Sequence, residues 1–314
     1  MVKIRRILCP VDFSDFSRRA LDYAIAVAKW YGSRLIVLYV YQPPMPALAP
    51  LAALAGSVEA AVLPPGALEQ LRRQIAAFIP PEAAAHIVIE PGVAEGDPTA
   101  EILAQAESAD LIVMGTHGRS GFEHLVLGSV TEKVLRKASC PLLTIPFASP
   151  DATSAVPTLF HRIVAAVDFS DISMPALGFA MSLAAETDAH LTMMHVIDVP
   201  PHLALWIDRG DGVGHVREWT DAAEQRLRSL VSGAAREYAH VEQRVETGQP
   251  YREILRVAAE KQASLIVIGA HGRGLLERMF VGSTAQHVVR QATCPVLTMR
   301  TRQKGGAARR GTGD

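Results

Sequence analysis

A chain of 314 residues with a net charge of −1 is long enough for two ordinary domains and exerts no global pull on nucleic acid or an anionic membrane. Apolar residues make up 49% and charged ones 20%, as in soluble globular proteins, while 6% aromatics are too sparse for single-strand stacking platforms. Cys9, Cys140 and Cys294 are too few and too far apart for a disulfide framework, which points to a reducing cytoplasm.

The N-terminal stretch MVKIRRILCPVDFS lacks the apolar core and small-residue cleavage site of a signal peptide. A first strand ends at Val11-Asp12. Ser17 can cap the helix that follows through Ala20, Tyr23, Ala24, Val27 and Ala28, with Gly32 ending it. A second strand covers residues 35–40. Residues 43–68 hold six prolines, two glycines and Glu59, which suits a mobile loop with a helical turn or two and no bilayer span. Residues 99–107 form a helix, residues 111–114 a strand apolar at every position, and residues 142–145 the closing strand.

The series then repeats. Arg6-Ile7-Leu8-Cys9-Pro10-Val11-Asp12-Phe13-Ser14-Asp15 matches Arg162-Ile163-Val164-Ala165-Ala166-Val167-Asp168-Phe169-Ser170-Asp171, and LIVMG at Leu111 matches LIVIG at Leu265. Ser139-Cys140-Pro141 likewise matches Thr293-Cys294-Pro295, and the helix at residues 251–261 matches that at 99–107. Two long copies mean duplicated domains and not a solenoid. Strand–helix alternation predicts the α/β class: two tandem doubly wound, Rossmann-like domains, each an open, mainly parallel five-stranded sheet with helices on both faces. The expected limits are residues 1–147 and 161–300, with a Ser/Pro/Ala/Thr-rich linker at 148–160 and a disordered basic tail at 301–314.

The informative motif follows the fourth strand of each half. One copy reads Gly115-Thr116-His117-Gly118-Arg119 and closes on Gly128-Ser129; the other reads Gly269-Ala270-His271-Gly272-Arg273 and closes on Gly282-Ser283. Both fit G-x2-G-x9-G-[ST]. The first glycines let the backbone turn sharply at a strand's carboxyl end and bring N–H groups close to a ligand. The last pair opens a helix whose unpaired N–H groups and positive dipole end suit a phosphate. Turn chemistry plus capping is the plain alternative, since Ser129 with Glu132 and Ser283 with Gln286 each spell a capping box. Both copies keep the spacing while SGFEHLVL has drifted to GLLERMFV, which favours the phosphate. Asp12 and Asp168 face the same rim, where they either accept hydrogen bonds from a ribose hydroxyl or adenine amino group, or cap the next turn. Arg119 and Arg273 either pair with phosphate oxygens or stay solvated.

These segments, with the closing SCPLLTI and TCPVLTM, resemble the universal stress protein family in a tandem arrangement. The resemblance implies ATP as ligand, with or without Mg²⁺. It implies that Asp12 and Val40 face the nucleoside in the first half, and that Gly115, Gly118, Arg119, Gly128, Ser129 and Val130 surround ribose and phosphates. The second half would use Asp168, Val196, Gly269, Gly272, Arg273, Gly282, Ser283 and Thr284. It also implies pairing through the last strands, so that the halves form an internal pseudo-dimer, and leaves a homodimer open. Three departures, Asp97 against Gln249, Tyr39 against His195 and Pro10 against Ala166, are expected to make the sites unequal.

Neither half contains GxxxxGK[ST], and no GxGxxG follows a first strand. His117 and His271 sit within the loops, able to orient a water or simply to pack on the rim. The other nine histidines show no H-x-x-x-H spacing, so no metal site from protein side chains is expected. The sequence therefore predicts an ATP-binding stress-response regulator that senses adenine nucleotide without efficient catalysis, and with neither nucleic acid nor membrane as partner. A slow Mg-dependent ATPase or phosphotransferase, and a partner-binding module with degenerate sites, remain the alternatives.

Overall fold

Wholly apolar runs become parallel strands covered on both faces. The computed structural model describes residues 3–42, 66–118, 127–149, 156–199, 213–231, 240–270 and 282–300. In chain order the first half contains β1 (Arg6–Val11), α1 (Asp15–Tyr31), β2 (Arg34–Tyr41), α2 (Ala67–Phe78), α3 (Pro81–Ala84), β3 (Ile89–Glu95), α4 (Pro98–Ala106), β4 (Leu111–Gly115), α5 (Ser129–Lys137) and β5 (Leu142–Ile145). A short α6 (Val156–Leu159) leads to β6 (Arg162–Ala166), α7 (Ser173–Thr187), β7 (His190–Ile197), α8 (Val213–Leu230), β8 (His240–Thr247), α9 (Pro250–Glu260), β9 (Leu265–Gly269), α10 (Ser283–Gln291) and β10 (Val296–Met299).

Each half is a parallel five-stranded sheet, β3-β2-β1-β4-β5 and β8-β7-β6-β9-β10. The two are joined by antiparallel pairing of β5 with β10, Leu143 opposite Leu297, into one ten-stranded sheet. Alternate side chains divide the core by sheet face. Ile7, Cys9, Leu35, Val113 and Ile163 meet α1, α2, α7 and α8 on one side. Leu8, Ile36, Ile112, Leu142 and Val164 meet α4, α5, α9 and α10 on the other.

At the join, the hydroxyls of Thr144 and Thr298 donate across the seam to the carbonyls of Val296 and Leu142, each at 3.2 Å. Both threonines are buried. Away from the strands, Tyr31 of α1 donates to Glu186 of α7 at 3.0 Å, and Gln286 of α10 donates to Glu132 of α5 at 2.9 Å. Burial, reinforced by the Glu186 carboxylate, pushes the Tyr31 phenol up from its ordinary value.

Several local expectations change. The cap of α1 is Ser14, whose side chain accepts from the Ser17 amide at 3.2 Å, and Ser17 is instead buried in the first turn. Gly32 does end α1, at φ 62°. Of the loop expected at 43–68, residues 43–65 lie outside the described residues, and Ala67 and Leu68 already belong to α2. The linker region contains α6, and the expected tail lies outside the described residues. Pro10 sits in the central strand β1, where it has no N–H to give the ladder; β1 aligns with β4 only at Ile7 and Leu8, whereas β6 aligns with β9 over Ile163 to Ala166. No helix among the described residues is long and apolar enough to cross a membrane.

Leu143→Ala at the seam should cost about 2–5 kcal/mol, the usual range for truncating a fully buried leucine. Urea unfolding measures it, and a loss within 0.5 kcal/mol, as is typical for surface substitutions, would mean that the seam does not support the fold.

Candidate functional site

The carboxyl edge of each half-sheet is shaped by the same short turn. After β1 the chain passes through Phe13 at φ 66°, and after β6 through Phe169 at φ 61°. A bulky side chain in the left-handed region is strained, so the surrounding contacts must hold it there. They do: Asp12 Oδ1 accepts from the Ser14 amide at 3.1 Å and its hydroxyl at 2.5 Å. Asp168 Oδ1 does the same with Ser170, at 3.0 and 2.6 Å. The capping role foreseen for these aspartates is therefore real. It occupies one carboxylate oxygen, while Oδ2 of Asp12 is turned to Gly118: a Cβ built there would lie 2.6 Å from it.

None of the described motif glycines, Gly115, Gly118, Gly128, Gly269 and Gly282, has a positive φ. They are needed for closeness and not for a left-handed turn. A Cβ on Gly115 would meet the Phe16 carbonyl oxygen at 3.0 Å, and one on Gly269 would meet Ile172 at 3.2 Å and the Ser173 amide at 3.3 Å. Glycine thus lets the end of β4 or β9 press against the first turn of the helix after β1 or β6.

The next helix of each half starts at the same edge. Gly128 and Gly282 are the N-caps of α5 and α10, and among the described residues neither end receives a side-chain cap. The expected capping boxes do not form, because Ser129 and Ser283 are already the first helical residues. Glu132 accepts from Arg136 at 2.7 Å and from Gln286 instead of reaching back. The first-turn amides at Ser129–Val130 and Ser283–Thr284 therefore have no intrahelical acceptor, and with the helix dipole they make an anion-binding end. Loop and helix are tied by the Gly128 amide donating to Thr116 O and the Thr131 hydroxyl to Gly115 O, both at 2.9 Å, and by the Gly282 amide donating to Ala270 O at 2.8 Å.

In the second half these elements enclose a cavity of about 680 Å³. It joins Asp168, Val196, Gly269, Gly282, Ser283 and Thr284, six of the residues singled out by sequence. Such a volume lies within the ordinary range for small-molecule sites. Val40 stands at the corresponding end of β2, partly buried against the second core face. Arg119, Gly272, Arg273 and His271 lie outside the described residues. His117 packs against Phe16, ring centroids 5.1 Å apart, with Nδ1 3.0 Å from the Thr116 hydroxyl. No group of three His, Cys, Asp or Glu among the described residues is placed to hold a metal. Asp97 caps α4 by accepting from the Ala100 amide at 2.9 Å, whereas Gln249 gives α9 no side-chain cap.

Sequence reasoning missed the outer wall of the cavity. Trp219 and Arg226 of α8 line it, with Phe169 and His195. The Arg226 guanidinium lies 4.3 Å from the Phe169 ring centroid; the His195 ring is 4.7 Å from Phe169, and its Nδ1 is 2.6 Å from Val167 O. Helical spacing of Ala223, Leu227 and Leu230 would have revealed α8, though not which of its polar residues faces the site.

Gly115→Ala should destabilise by about 1–3 kcal/mol, the usual cost of forced overpacking. Gly178→Ala, in mid-helix with nothing within 4 Å of the new Cβ, should be stabilising by about 0.5–1 kcal/mol. Thermal melts of the two variants give the comparison, and equal effects would refute the close-approach account.

Comparison with known proteins follows the same division into halves. The universal stress protein family model matches residues 3–146 and 159–300. A universal stress protein of Methanocaldococcus jannaschii is 33% identical over 147 residues, 46% of this chain and 85% of that protein. One of Mycolicibacterium smegmatis is 30% identical over 207 residues, 64% of this chain, which spans 65% of that relative's length. The crystal structure of a universal stress protein from Archaeoglobus fulgidus covers 95% of this chain and 98% of its own, at 26% identity and a TM-score of 0.62. Matched in both halves, the chain belongs to the universal stress protein family.

Proposed function

We propose that this protein is an ATP-binding regulator with one adenine-nucleotide site per half, whose occupancy changes its stability or its contacts with partners. The observation that carries this reading is the second-half cavity, which gathers the carboxylate after the first strand, Gly269 and Gly282 of the glycine motif and the start of α10. Asp168 and Val196 would meet the nucleoside. Gly269, Gly272, Arg273, Gly282, Ser283 and Thr284 would surround ribose and phosphates. Asp12, Val40, Gly115, Gly118, Arg119, Gly128, Ser129 and Val130 would do so in the first half.

An uncapped helix N-terminus favours an anion through unpaired amides and the dipole together. ATP can bring Mg²⁺ on its own phosphate oxygens. On this reading the halves, with limits near residues 147 and 161, act as an internal pseudo-dimer in the reducing cytoplasm. Binding is favoured over turnover because no P-loop lysine and no identifiable base accompanies the glycines.

Calorimetric titration of nucleotide-stripped protein should show up to two ATP per chain, and no heat at millimolar ATP would overturn the reading. Gly118→Ala, which crowds Asp12 Oδ2, should weaken the first site by at least about tenfold, the equivalent of about 1.4 kcal/mol. Slow hydrolysis, if present, should vanish in a Gly118→Ala/Gly272→Ala protein; turnover that survives belongs to a contaminant.

A further inference from the structure

The two halves build the outer wall of their sites differently. Ile75 and Ile79 of the first half and Leu227 and Val231 of the second are buried at the same face of the sheet. Aligning these pairs sets α2 against α8 and places Ala67 and Gln74 opposite Trp219 and Arg226. Phe78 then corresponds to Leu230, and Arg18, one residue after Ser17, corresponds to Met174, one residue after Ser173.

The cation–aromatic contact moves with these exchanges. In the first half Phe78 stands edge-on to Phe13, centroids 5.4 Å apart, and Arg18 covers Phe78 at 3.9 Å while donating to the Phe78 carbonyl. The turn aromatic is closed by the protein's own phenyl ring. In the second half Leu230 takes the place of Phe78, and Arg226 lies on Phe169 itself, at the cavity wall. Trp219, 48% exposed, lines the same cavity two turns earlier on α8.

The cavity also has two unlike ends. Residues 282–285 bring the start of α10, whose helix packs on the second core face, whereas α8 packs on the first through Leu227. A ligand with its phosphates at α10 extends its other end across the sheet edge toward α8. A planar base there finds an indole to stack on and a guanidinium whose orientation is fixed by Phe169. The two fused rings of a purine cover more of the indole than the single ring of a pyrimidine, and the guanidinium adds an N–H donor for a ring nitrogen of the base.

We infer that the Trp219–Arg226 face of α8 is a purine-recognition wall of the second half, where α2 of the first half carries Ala67 and Gln74, making that site tighter and more base-selective than the first. This rests on the nucleotide-binding reading above. Trp219 and Arg226 are specificity-determining residues, and neither is needed for the glycine-loop contacts.

The test is calorimetric titration of the full chain with ATP and with CTP, in the wild type and in Trp219→Ala, Trp219→Phe and Arg226→Gln. The wild type should show two unequal ATP sites. Trp219→Ala and Arg226→Gln should each weaken one of them by about five- to thirtyfold, the range of one lost stacking or cation–π contact. Trp219→Phe should restore most of the affinity, and Trp219→Ala should lower the ATP-over-CTP preference. Circular dichroism melts confirm that the exposed substitutions leave the fold intact. ATP affinities and the ATP-over-CTP ratio unchanged by Trp219→Ala and Arg226→Gln would overturn the inference while leaving nucleotide binding standing. A wild-type chain that binds no ATP would overturn the underlying reading as well.

Discussion

Strand β5, Leu-Leu-Thr-Ile, is four residues long and buried at every position. Alone it would end the first sheet in a row of unpaired N–H and C=O groups, the least favourable edge such a sheet can present. Strand β10 has the same problem in the second half. Antiparallel pairing of the two removes both edges at once, and the buried hydroxyls of Thr144 and Thr298 add reciprocal bonds across it. The rest of the architecture follows from that seam. It makes one sheet of two, brings α1 beside α7 and α5 beside α10, and among the described strands leaves β3 and β8 as outer edges.

Those outer edges are protected differently. β3 carries Pro91, which cannot donate to an added strand. On β8, Arg244 bridges Glu246 and Glu260, Arg256 reaches Glu246 at 2.8 Å, and Lys261 meets Glu242 at 2.7 Å. Partly exposed ion pairs of this kind add little stability singly; their use here is to keep the edge charged.

The opposite demand operates at the carboxyl ends of the strands. There the chain is packed tightly to leave polar groups pointing at one spot. Phe13 and Phe169 hold left-handed backbone, Gly115 and Gly269 allow the close approach, and α5 and α10 begin without caps. A fold optimised only for stability would cap those helices and relax those turns. Local strain beside glycine-capped helix ends is what the proposed anion site requires and a plain loop does not.

Much of this was legible in the sequence. Strand runs, repeat, glycine spacing and strand-end aspartates are local patterns, fixed by side-chain periodicity and by residue types with few conformational uses. Reading failed where two segments compete for one role. Ser14 and Ser17 are both good caps, and only the Phe13 turn selects Ser14. Ser129 looks like a cap until Gly128 takes the place and Glu132 turns to Gln286, 154 residues away. The sequence by itself determined two doubly wound halves and the glycine spacing after the fourth strand of each, because those depend on neighbours along the chain. Only the tertiary structure decided the register in which β5 meets β10, and that Trp219 and Arg226 wall the second-half cavity while Phe78 closes the turn in the first half. Such choices depend on which side chains meet across the sheet edge, and no local pattern encodes that.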